Sequence, residues 1–411
     1  MKKLDRTAGD FIFEYQLSST AQGTANDLMA TLMAYYGFSV TVSNALTNAV
    51  GILGILNLLG GILYLKAKRP RLFLRIFCTS WRVFLPCIFL SVLLPVKIGA
   101  AVMAAAYLLT NAAYQFQTSS QLSWMTGTLE GRVGGSYYLW RSTIWLVTYT
   151  VVSLLAGLAV DKAQLAGTLN RCFPAIGMVF TVFVAASVFF LFRLPAPKTQ
   201  TDTEEKVSVL EMFRRILTGR KCRWVLGISM LWSFASPFVI GFSALYKIQV
   251  LQVSLFEVTL WATVGYALRS LSAPLVSRLS QKIGWVRVTA AGFGLVGLTA
   301  GLWFVINAGN MAVLFPIAAM LTVMPHTVFD VGFLQMDIAA VPQTERSIYF
   351  SVKSLLNWGV SILAALASTA LIHSLEIISA SALKNVFLVG AGGMVLCVLV
   401  TLLSEKRLKT A

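Results

Sequence analysis

Four polar side chains fall near the middle of long apolar segments: Gln22, Asn111, Arg269 and His326. Inside a hydrocarbon layer each needs a partner or a purpose, because no water is there to satisfy it. Helical spacing enlarges the set. Ser18, Gln22 and Asn26 recur every four residues, and Asn111, Gln115 and Thr118 recur every three or four, so each trio shares one helix face. His326, Asp330 and Asp337 share a third face beside Pro325, which is expected to kink its helix. Asn57 and Asn357 add amides, and Ser233, Ser236 and Pro237 sit mid-way along another segment. Such donors and acceptors suit a small polar or anionic solute. Gln22, Asn26, Asn111, Gln115, Arg269, His326 and Asn357 are the expected substrate contacts.

His326 and Asp330 are four residues apart, close enough on a helix to share a proton. Asp27 is a second acid, nearer the outer face, so Asp27, His326 and Asp330 are the expected proton-coupling groups; polar packing between helices is the alternative. A permanent cation such as Arg269 costs roughly 3 kcal/mol or more at the centre of a membrane. It is a counter-ion for an anionic substrate or a partner of a titrating acid; otherwise it forms a structural pair with Asp27 or Asp330, or snorkels toward the cytoplasm. Arg82 is expected to snorkel or to pair structurally. No third ligand stands beside His326 and Asp330, so no metal is expected, and no cofactor. The five cysteines are scattered without a Cys-x-x-Cys pair and read as small buried hydrophobes.

The elements that position these residues follow from composition. Hydrophobic residues make up 57% of the 411, only 12% are charged, and the mean hydropathy is +0.76. A soluble domain carries about 25% charged residues, so this chain cannot cover a water-facing surface. Twelve apolar stretches are long enough to cross a bilayer: 11–36, 43–65, 72–95, 98–126, 136–160, 172–194, 223–246, 254–278, 286–307, 311–338, 348–372 and 384–404, here spans 1 to 12. Twelve spans put both termini on one side. That side takes 26 of the 33 lysines and arginines and the other takes 5, which places both termini in the cytoplasm. The net charge of +17 is therefore a topology signal, and a nucleic-acid partner is not expected; the lipid bilayer is. No cleavage-site pattern follows Met1-Lys2-Lys3, so no signal peptide is expected.

Residues 195–222 form the longest and most polar connection. Pro195 and Pro197 end span 6, and Thr201 to Glu204 could cap a short helix with Val209, Leu210, Phe213 and Ile216 on its apolar side. The expected domains are a six-helix bundle over 1–194, this cytoplasmic linker, and a second six-helix bundle over 223–411. A repeat supports duplication. Glu130-Gly131-Arg132 precedes Tyr137-Tyr138 and Arg141, and Glu345-Arg346 precedes Tyr349-Phe350 and Lys353.

The chain resembles the major facilitator superfamily of bacterial-type secondary transporters over nearly its full length. The most specific piece follows span 8, from Ser277 and Arg278 through Lys282, Gly284 and Trp285 to Val288. It is similar to the family's cytoplasmic loop Gly-x-Leu-x-Asp-Arg-x-Gly-Arg-Arg, with Gln281 at the acidic position and Trp285 at an arginine. The resemblance implies an all-α membrane fold of twelve helices in two pseudo-twofold-related bundles. Spans 1, 4, 7 and 10 would line the cavity, and the loop would help hold the outward-open state. Arg132, Arg141, Arg278, Lys282, Gly284, Arg346 and Lys353 are the expected gating and cytoplasmic-loop residues. Independently of the family, Gly284 permits a tight turn and the bases can face headgroups or simply fix topology. The fifth-span Gly-Pro motif of drug/proton antiporters and the Pro-Glu-Ser linker signature of sugar porters are not seen, so no subfamily is assigned.

The expected function is secondary transport of a small polar or anionic solute across the bacterial cytoplasmic membrane by a monomer, with proton coupling. One alternative is a membrane-embedded acyl or glycosyl transferase, for which His373-Ser374-Leu375-Glu376 is the only loop-borne hint. Another is a non-transporting sensor or lipid-handling protein. No nucleotide-binding loop is present, which argues against a primary pump.

Overall fold

The computed structural model describes residues 5–38, 42, 46, 49–50, 53–197, 209–251, 253 and 255–409. Among them nine helices are long and apolar enough to cross a membrane: Pro70–Leu93, Val96–Leu129, Gly135–Leu165, Leu169–Arg193, Arg220–Gly241, Trp285–Val305, Met311–Ala340, Gln343–Leu375 and Ser381–Glu405. These are spans 3 to 7 and 9 to 12. Span 1 is the helix Arg6–Tyr35 and span 8 is Leu255–Ile283. Both are long enough but richer in polar residues, which they turn onto other helices. Span 2 contributes Leu53–Lys66; part of its expected range lies outside the described residues. The chain has the all-helical, twelve-span fold expected.

Local sequence explains the ends and breaks. Asp5 caps the first helix by accepting from the Thr7 amide. Pro70 stands in the first turn of span 3, where its missing N–H costs nothing. Gly284 has φ 83°, a left-handed turn between spans 8 and 9 that L-residues seldom adopt. Span 7 widens into a π turn over Pro237–Gly241, where proline removes a helix donor. The kink expected at Pro325 is a full break: Met311–Val323 ends and His326–Ala340 begins. In the linker, a helix over Val209–Thr218 buries Met212 and Ile216. Its expected cap, Thr201 to Glu204, lies outside the described residues.

The chain forms two compact units. The first holds Met1–Gly134, Ile144–Val209 and Gln343–Val352; the second holds Gly135–Thr143, Leu210–Pro342 and Lys353–Ala411. The starts of spans 5 and 11 are thus exchanged, and they carry the aromatic pairs of the repeat, Tyr137-Tyr138 and Tyr349-Phe350. Trp81, Phe89, Phe173 and Phe180 form the core of the first unit. Span 2 approaches span 4 so closely that a Cβ at Gly60 would fall on the Phe116 carbonyl oxygen. In the second unit Phe293, Phe329, Trp303 and Phe387 anchor two apolar clusters. Gly292 lets Val328 and Phe329 of span 10 approach span 9, whereas Gly301 faces open space.

Candidate functional site

In the second unit, spans 7, 10 and 11 line an open cavity of about 320 Å³. Ser229, Trp232 and Ser233 line it from span 7, His326, Phe329, Asp330 and Phe333 from span 10, and Lys353 and Asn357 from span 11. Their spacing by three and four residues puts each group on one helix face. Across the break at Pro325, the His326 Nδ1 sits 3.1 Å from the Val323 carbonyl oxygen. The His326 ring lies edge-on to Trp232 and Phe329, with centroids 6.4 and 6.0 Å away.

The charges of this site are matched. Arg269 of span 8 donates to Asp330 Oδ2 at 2.7 Å. Its side chain is 7% exposed, whereas that of Asp330 is 55% exposed and opens on the cavity. Lys353 donates to Asp337 at 2.6 Å and lies over the Phe333 ring, 4.8 Å from its centroid. Asn357 donates to Ser229 Oγ at 2.7 Å, while its own Oδ1 is buried without a hydrogen-bond partner. A buried amide oxygen left unpaired beside a cavity is an acceptor held ready for a hydroxyl or a water.

Five expected residues therefore converge: Arg269, His326, Asp330 and Asn357, together with Lys353, which sequence grouped with the cytoplasmic bases. The first-unit set is different. Gln22, Asn26 and Asn111 line one cleft with Tyr107 and Thr110, but it has essentially no open volume (about 0 Å³). Asn111 donates to the Tyr107 carbonyl on its own helix. Gln115 does not line that cleft. Asp27 accepts from Tyr149 and Ser153 hydroxyls, both at 2.9 Å.

The sequence reading missed Glu14. It lies 1% exposed against Arg82, also 1% exposed, and the two form a charge-paired hydrogen bond. Arg82 also donates to Ser187 Oγ at 3.0 Å and to the Cys78 carbonyl, and Gln121 donates to Glu14 at 2.8 Å. Arg82 thus pairs rather than snorkels.

The loop bases divide by burial. Arg346 is buried and grips Glu130 with both terminal nitrogens, at 3.0 and 2.9 Å. Its repeat counterpart Arg132 is exposed and reaches Asp5 at 3.3 Å. Arg278 and Lys282 are exposed, and Arg141 is half-buried. Asn57 anchors the exchanged start of span 11 by accepting from Ser351 at 3.0 Å through its carbonyl. The five cysteines are free thiols. His373 is exposed near the end of the span 11 helix.

The family described as MFS/sugar transport protein matches residues 76–336. The chain belongs to that family. Solved structures of major facilitator transporters share its fold. One is a bacterial homologue of the iron transporter ferroportin in an outward-facing state, at TM-score 0.73 and 15% identity, covering 98% of this chain and 100% of that one. A second is FucP, the E. coli fucose:proton symporter, at TM-score 0.72 and 11% identity, covering 98% and 99%. A third is the proton:xylose symporter XylE bound to 6-bromo-6-deoxy-D-glucose, at 0.61 and 13%, covering 96% and 93%. At these identities the likeness is one of fold. No curated protein matches the chain. As a member of a major facilitator transporter family with membrane-crossing helices, the chain is an integral membrane protein.

Proposed function

We propose that this family member is a secondary transporter of a small, neutral, hydroxyl-rich solute, working by alternating access of its two halves, 1–194 and 223–411, about the linker 195–222. The observation that carries this is the second-unit cavity, which combines aromatic faces with matched charges. An anionic solute needs a cation to spare, but Arg269 has Asp330 and Lys353 has Asp337. A neutral solute needs a flat apolar face, which Trp232 and Phe329 provide, and hydrogen-bonding groups, which Asn357, Ser229, Ser233 and the cavity-facing Asp330 provide. The family's sugar-transport description and the sugars named for two structural relatives support the same class. Of the two solute types open at the sequence level, the neutral one fits better.

Asp330 and His326 are the proposed coupling pair, since a protonated Asp330 would release Arg269 to the cavity. Asp27, held by two hydroxyls, is the second candidate. In the first unit, Gln22, Asn26, Asn111 and Gln115 would contact solute in a state where their cleft opens. We assign gating to Arg346 with Glu130, to Arg132, Arg141, Arg278 and Lys282, and to the turn at Gly284. The chain would act as a monomer in the bacterial cytoplasmic membrane, termini inside, without chemically altering its cargo.

Uptake of labelled neutral sugars and sugar acids into liposomes carrying the purified protein tests this reading. Neutral sugars should accumulate, and an inward proton gradient should raise the uptake. Accumulation of sugar acids alone would reject the neutral class, and indifference to the gradient would reject proton coupling. Asp330→Asn should keep exchange of solute but lose the response to the gradient.

A further inference from the structure

A second cavity of about 320 Å³ lies in the first unit, where the start of span 3 meets the end of span 6. Arg69, Arg71 and Arg75 line it with Leu72 and Pro197, and none of the described residues that line it is acidic. Two of the three guanidinia are held in place. Arg71 donates to the Leu194 carbonyl at 3.2 Å, and Arg75 donates to the Phe192 carbonyl at 2.8 Å and lies 4.5 Å above the Phe192 ring. Each guanidinium has five N–H donors, so most remain to be used. Arg69 makes no hydrogen bond or ion pair with a described residue. Asp10 of span 1 is taken by Arg193 at 3.5 Å. The cavity also sits at the N-terminus of the span 3 helix Pro70–Leu90, whose first backbone donors and dipole favour an anion.

Three converging guanidinia suit a phosphate, which accepts paired N–H donors. The surroundings decide where the phosphate comes from. Leu72 and Ile76, one turn apart on span 3, and Phe189 and Phe192 on span 6 are exposed apolar side chains leading away from the cavity. We infer that this corner is a binding site for one anionic phospholipid, its phosphate held by Arg69, Arg71 and Arg75 and its acyl chains lying along Leu72–Ile76 and Phe189–Phe192. The solute cavity is built from the second unit, so this site does not depend on the solute assignment. It lies on the side to which the lysine and arginine excess assigns the cytoplasm.

Native mass spectrometry of the full chain in detergent, titrated separately with phosphatidylglycerol, phosphatidylcholine and inorganic phosphate, tests the site. The wild type should retain one phosphatidylglycerol in preference to phosphatidylcholine. Arg69→Gln should weaken that binding about five-fold, and removal of all three arginines should weaken it further. Arg69→Gln breaks no hydrogen bond or ion pair among the described residues, so it reads the site even if the triple variant misfolds. Arg214→Gln, the same charge change on the exposed linker helix, should leave the binding unchanged. Equal retention of the two lipids, or an Arg69→Gln effect no larger than that of Arg214→Gln, would overturn the site. Inorganic phosphate binding as tightly as phosphatidylglycerol would overturn the lipid as its ligand.

Discussion

Each unit holds an arginine–carboxylate pair inside its helices, and the two pairs are built oppositely. Arg82 and Glu14 are each 1% exposed and enclosed by Ser18, Ser187, Gln121 and the Cys78 carbonyl. Arg269 is nearly as buried, but Asp330 keeps its carboxylate 55% exposed to a cavity that His326 and Asn357 also line. A charge pair sealed on all sides has its hydrogen bonds spent within the protein. A pair with one open member can change partner or protonation state. The first arrangement suits holding four helices in register, and the second suits exchange with a solute or a proton.

The largest expected effect separates them. Arg82→Ala leaves Glu14 buried without its cation, which costs about 3–5 kcal/mol; Glu14→Leu with Arg82→Met should recover most of it. Thermal unfolding in detergent measures both. Arg269→Ala leaves a wetted carboxylate instead, so its stability loss should be within about 1 kcal/mol. Equal destabilisation by the two substitutions would break the comparison. Next in size is Asn357→Ala, which removes the unpaired acceptor and should weaken solute binding about five-fold to ten-fold with little change in melting temperature. Smallest is Glu130→Gln. Glu130 is half-exposed, so loss of its charge against Arg346 should cost about 1 kcal/mol or less in stability. Its effect should appear in the transport rate rather than in solute affinity.

How much of this was legible in sequence depended on what kind of signal each residue gives. Spans and their order follow from runs of apolar residues, and helices stand on all twelve expected spans. Pro325 marked the break in span 10, and Gly284 marked the turn before span 9. The polar members of the second-unit cavity stood out because Arg269, His326, Asp330 and Asn357 are costly in an apolar helix. Trp232, Phe329 and Phe333 did not, because an aromatic ring in an apolar span looks the same whether it faces lipid, core or cavity. Glu14 was missed through register. The apolar run begins at residue 11, which puts Glu14 at the rim, but the helix begins at Arg6 and carries Glu14 about 12 Å along its axis. Arg82 within span 3 was the available clue, since a cation there needs an acid at matching depth. The exchange of the starts of spans 5 and 11 depends on tertiary packing, which composition does not carry.

The open pair as the solute site is the central claim, and one measurement reaches it most directly. A thermal-shift series of neutral sugars on the purified full chain should show a solute that raises the melting temperature of the wild type. The same solute should give no shift with Arg269→Ala, even though that variant melts near the wild-type temperature on its own. An equal ligand shift in both proteins would contradict the account, because the solute would then bind without Arg269 holding the side chain at position 330 in place.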